Sequence, residues 1–98
     1  MSVWQDLHSD QGDLFSLRVT VEAHLLEELL EILASAPFSI NPEIQHHAEL
    51  LRDGKSVPAV HVDFPAWQSQ ISTWRDLLTQ SHVPAEFAVT RMLEEIRA

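Results

Sequence analysis

The chain has 98 residues, enough for one domain that buries roughly two thirds of its unfolded surface. It contains no cysteine, which excludes disulfides, thiolate metal sites and cysteine nucleophiles together and suits a reducing cytoplasm. Fifteen carboxylates against six lysines and arginines give a formal charge of -9, which repels nucleic-acid phosphates and anionic lipid and argues against either as a partner.

Met1 to Asp13 is polar, with Trp4 and Leu7 as its anchors, and reads as an irregular arm ahead of a single α+β domain over residues 14-98. It lacks the basic start and apolar run of a secretory signal, and no segment reaches the length of a membrane span, so a soluble, cytoplasmic protein without membrane contact is expected. From Leu14 to Val21 the residues alternate, with Phe15, Leu17, Val19 and Val21 on one side, as in a half-buried strand. At Glu22 the period changes. Leu25, Leu26, Leu29, Leu30, Ile32 and Leu33 fall at helical spacing while Glu27, Glu28 and Glu31 face away, which predicts a helix ending near Ala34.

Residues 43 to 64 decide the architecture. Asn41-Pro42-Glu43 has the chemistry of a helix start, and Ile44, His47, Ala48 and Leu51 keep helical spacing. Against that, Val57 to Phe64 alternates as a strand, and Asp53-Gly54 just before it is strong hairpin chemistry, so the favoured reading is a β-hairpin. A two-residue turn at Asp53-Gly54 pairs Leu51 with Ser56 and puts Val60, Val62 and Phe64 on the same face as Gln45, His47 and Glu49, which wastes the apolar pattern. A three-residue loop with Gly54 in a left-handed bulge position pairs Leu51 with Lys55 instead. It brings Ile44, His46, Ala48 and Leu50 onto the face of Val60, Val62 and Phe64, and this is the expected register.

Pro65-Ala66 is expected to open a second helix with Trp67, Ile71, Trp74, Leu77 and Leu78 as its apolar stripe, stopping around Ser81. Glu86 to Leu93 reads as an edge strand beside the first, although Val89, Met92, Leu93 and Ile96 also fit a helix. The order β-α-β-β-α-β with right-handed crossovers then puts both helices on one face of an antiparallel sheet. Over residues 14 to 93 this order resembles the ferredoxin-like plait, and ACT-like regulatory domains are similar in size and element order. The resemblance is one of architecture and brings no ligand-loop motif with it.

On the face away from the helices, the expected register groups Gln45, His47 and Glu49 with His61 and Asp63, with Gln45 opposite His61. Two imidazoles and a carboxylate suit a divalent ion such as zinc, with His47, His61 and Asp63 as the ligands. The plainer reading is that of ordinary strand histidines on a polar face. His61 and Asp63 also form an i, i+2 pair in which a carboxylate orients an imidazole general base, although Ser16 is the only nearby nucleophile candidate. Against this stands a surface ion pair between Asp63 and Arg18. His46 reads as a core histidine, Trp67 and Trp74 as core packing, and Glu27, Glu28 and Glu31 as a solvated helix face. Gly12 and Gly54 are the only glycines, too few for a phosphate-cradling loop.

These features favour a homodimeric binding or regulatory module, associating through its sheet face or edge and taking a small molecule or a protein as partner. Two alternatives stand beside it. One is a divalent-metal protein using the strand histidines; the other is a small cofactor-free isomerase or oxygenase with His61 as general base, which requires an enclosed apolar pocket between helices and sheet.

Overall fold

The structure, a computed structural model, describes residues 12-91; the expectations for Trp4, the arm before Gly12 and the chain after Arg91 lie outside them. Strands β1 (Leu14–Glu22), β2 (Glu43–Arg52), β3 (Lys55–Trp67) and β4 (Glu86–Arg91) form one sheet in the order β2-β3-β1-β4, with every neighbouring pair antiparallel. Helix α1 (Leu26–Ala34) follows β1 and helix α2 (Ile71–Gln80) follows β3, each entered through a short 3-10 turn. The result is the expected α+β architecture of a four-stranded antiparallel sheet and two helices.

The alternation in β1 works as predicted. Leu17, Val19 and Val21 are fully buried and lie opposite Phe64, Val62 and Val60 of β3, so six core side chains share one sheet face. Leu29 and Leu33 of α1 and Trp74 of α2 complete the same core, which places both helices over this face. Trp74 packs 4.8 Å from Phe64 and 5.7 Å from Phe38, ring centre to ring centre. Each large apolar side chain buried this way contributes roughly 1.5–3 kcal/mol.

The second helix begins later than the sequence predicts. β3 continues through Pro65 and Ala66 to Trp67, which pair with Ser16, Phe15 and Leu14, and only then does the chain turn; Gln70 Oε1 accepts the Trp67 N–H at 3.1 Å. A clip holds this corner to the start of β1. Gln68 N–H donates to the Asp13 carbonyl at 2.8 Å, and Asp13 N–H donates to Gln68 Oε1 at 3.2 Å. Gly12, at φ 81, lies so close that a Cβ there would meet Gln68 Oε1 at 2.5 Å.

Both prolines of β3 are compatible with a strand because of where their nitrogens point. Arg52 and Lys55 flank a two-residue turn and so form a hydrogen-bonded pair, which directs the odd-numbered residues of β3 at β2 and the even-numbered ones at β1. Pro65 therefore aims its nitrogen at the β2 side, where the pairing already ended at Glu43 and Asp63. Pro58 aims its nitrogen at the β1 side, where pairing ended at Glu22 and Ala59. Neither removes a ladder bond.

The hairpin itself departs from the expected register in one half and matches it in the other. Asp53 and Gly54 have φ of 54° and 77°, the two positive values of a type I′ turn, and Leu51 pairs with Ser56, not with Lys55. That register holds through Ala48 opposite Ala59. Beyond it Gln45 lies opposite His61 and Ile44 opposite Val62, as the three-residue loop would have required. One extra residue makes the change: His46 and His47 together oppose Val60, with His47 at φ 69. His46 is consequently exposed in a bulge and is not a core residue.

The bulge reverses the sides of the strand. Ala48, Leu50 and Arg52 face away from the helices, while Glu49 and Leu51 face the helix side; for Ala48, Leu50 and Glu49 this is opposite to the expectation. Leu51 lies past the last β1 pair and past the reach of the helices, and at 72% exposure it is the one large apolar side chain left exposed among the described residues. Bulges also bend a strand and increase its twist. Here the hairpin curls across the helix-free face: Arg52 of β2 comes within 3.5 Å of Glu22 on β1 and 3.8 Å of Glu86 at the start of β4, although β3 lies between. Leu50 and Ala59, on the same face, are 6% and 2% exposed.

A non-glycine residue in the left-handed region costs about 1–2 kcal/mol, and glycine gives back part of the difference as chain entropy. His47→Gly should therefore raise stability by about 0.5–1 kcal/mol, whereas the β-branched His47→Val should lower it by at least as much. Denaturant midpoints of the two variants check both signs; a destabilised glycine variant would mean that the imidazole itself holds the bulge.

Candidate functional site on the helix-free sheet face

The even-numbered residues of β1 project from the face opposite the helices, and the antiparallel register sets Arg18 against Asp63 and Thr20 against His61. Arg18 grips Asp63 with two parallel hydrogen bonds, Nε to Oδ1 at 2.8 Å and Nη2 to Oδ2 at 2.9 Å. Gln45, across from His61 on β2, donates its Nε2 to Asp63 Oδ2 at 3.1 Å. Three strands are thus joined through one carboxylate. The hydrogen bonding to Asp63 raises the Arg18 pKa above its ordinary value; burial works against the shift and the carboxylate's charge adds to it.

His61 has a different partner. Its Nδ1 lies 2.7 Å from Thr20 Oγ1, and Thr20 is buried at 6% exposure. Either hydroxyl or imidazole can donate in this pair, and in both cases Nε2 is the ring nitrogen left for a partner.

The sequence-derived site residues separate under this geometry. His61 and Asp63 share the face as expected, but the carboxylate that was to orient the imidazole is held by Arg18 and Gln45 while the imidazole is held by Thr20. His47 sits in the exposed bulge, and Glu49 is turned to the helix side. Among the described residues no three His, Asp or Glu side chains are grouped closely enough to hold a metal ion. Ser16 lies at the end of the face, lining a recess of about 180 Å³ with Asn41, Glu43 and Asp63. The space between helices and sheet, where a general-base enzyme would need its pocket, is filled by Leu17, Val19, Val62, Phe64 and Trp74, and His61 is on the other side of the sheet.

Two participants escaped the sequence reading. Thr20 was legible only as a polar position on a strand, and its pairing with His61 follows once the β1–β3 register is known. Arg52 carries no signal at all, because its reach over the sheet depends on the bend of the hairpin. Compared with known protein families and with curated proteins, the chain matches none. No helix among the described residues is long and apolar enough to cross a membrane.

Thr20→Val leaves His61 Nδ1 without its partner and should cost about 1 kcal/mol. Arg18 is 44% exposed, so solvent screens its pair, and Arg18→Ala should cost no more than about 1 kcal/mol, falling further in ~1 M salt. A raised arginine pKa contributes stability that is complete below the ordinary value and lost only as pH climbs through the folded one. The Arg18→Ala penalty, measured by denaturation, should therefore stay constant between about pH 6 and pH 9.

Proposed function

We propose that this chain is a homodimeric binding or regulatory module on a ferredoxin-like plait, acting by association and not by catalysis. The plait is supported by the β-α-β-β-α-β order, by the two central strands β1 and β3, and by a single core under both helices. The dimer is supported by one observation above the others: Leu51, 72% exposed, on a two-stranded arm that runs past the rest of the sheet.

The route of association is narrowed by what the other surfaces already do. β2 is an edge strand, but its bulge interrupts the row of backbone groups another strand would need, and β4 is short and bounded by Glu86 and Arg91. On the helix-free face the central charges are paired within the chain, which argues for a surface that presents its polar groups to a ligand in fixed positions and against one that buries them in a dimer. The arm then supplies the self-association, and the face, with His61 Nε2 at its centre, is left for a small-molecule or protein partner. Cytoplasmic residence accords with the absence of cysteine.

Sedimentation velocity at tens of micromolar tests the reading. A species of twice the 11.2 kDa chain mass is expected; a strictly monomeric protein at that concentration overturns it.

A further inference from the structure

Resting on the homodimer reading, we infer that the arm of one copy docks its tip into the groove between the end of α1 and the segment after α2 of a second copy, and receives that copy's arm in return. The groove has a volume of about 410 Å³ and is lined by Glu28, Glu31 and Ile32 of α1 and by His82 and Val83 beyond α2. Ile32 is half-buried and Val83 is buried, so the floor is apolar, while Glu28 and Glu31 stand exposed along one wall.

The tip has the complementary chemistry. Leu51 is an apolar knob, left 72% exposed by the described residues. Lys55, paired across from Arg52 at the turn, is the only lysine of the protein and is exposed. Arg52 spends its charge on Glu22 and Glu86, whereas Lys55 has no ion-pair partner among the described residues. Its flexible stem can swing to the Leu51 side of the narrow ribbon. Two copies of a chain with formal charge -9 repel one another, and the orientation that relieves this most sets a free cation against a pair of carboxylates. Leucine against Ile32 and Val83 then excludes water beneath the Lys55 contact with Glu28 and Glu31. Neighbouring Glu49 and Asp53 keep the tip from being simply cationic, so the contact needs both the knob and the lysine. Reciprocal exchange gives two such contacts about a two-fold axis and closes the assembly at two copies.

Charge reversal tests the pairing directly, with folding checked by circular dichroism. Lys55→Glu alone and the double variant Glu28→Lys with Glu31→Lys alone should each weaken the dimer by at least tenfold. An equimolar mixture of the two should form a heterodimer, because in it each tip meets a groove of opposite sign. Leu51→Asp should be monomeric. Dimers that persist in both Leu51→Asp and Lys55→Glu overturn the arm-in-groove contact while leaving the homodimer standing, and a mixture that fails to pair overturns the groove assignment. A monomeric unmodified chain removes the homodimer and this contact together.

Discussion

Strand β2 has to satisfy two registers at once, and the rest of the molecule follows from how it does so. The Asp53-Gly54 turn, with both residues at positive φ, sets the pairing near the tip. Ile44 and Val62, at the far end of the hairpin from the turn, set it there by needing the helix-covered side. The two demands differ by one residue. His46-His47 absorbs that residue, and the cost is a histidine in the left-handed region.

The consequence is a hairpin with two personalities. Its base belongs to the core sheet, with Ile44 packed against the helix side and Gln45 joining the polar network. Its outer half is turned over, so that Leu50 is buried on the helix-free face and Leu51 is stranded on the other. Arg52 ties the curled tip back to Glu22 and Glu86 and keeps the arm from being a free ribbon. The two sheet faces consequently divide their work: one is closed by Leu17, Val19, Phe64 and Trp74 under the helices, and the other is an ordered polar surface centred on Asp63 and His61.

Much of this was legible in the sequence. The strand over 14 to 21 and the helix through Leu29 and Leu33 follow from periodicity alone, because each alternation or 3.6-residue stripe had a matching buried side to land on; Gln45 meets His61 as expected, but by way of the bulge and not of a three-residue loop. The Arg18 and Asp63 pair followed from their equivalent places on adjacent strands. The bulge did not. Periodicity arguments assume a constant step, and the sequence offered two internally consistent steps for β2 without marking where one gives way to the other. The start of the second helix failed for a related reason: Pro65 is good helix-start chemistry, and only the length of β2 reveals that its missing N–H is harmless inside a strand.

Pro58 has a further effect on the arm. Beyond Glu22 no strand among the described residues pairs with the side of β3 that faced β1, and an intact row of donors there would template an incoming chain. The pyrrolidine ring removes a donor at the first of these positions. Backbone-driven growth toward fibrils is thereby opposed at the edge of a tip whose Leu51 side chain stays exposed, so the same short ribbon carries a bare apolar group and a broken template side by side.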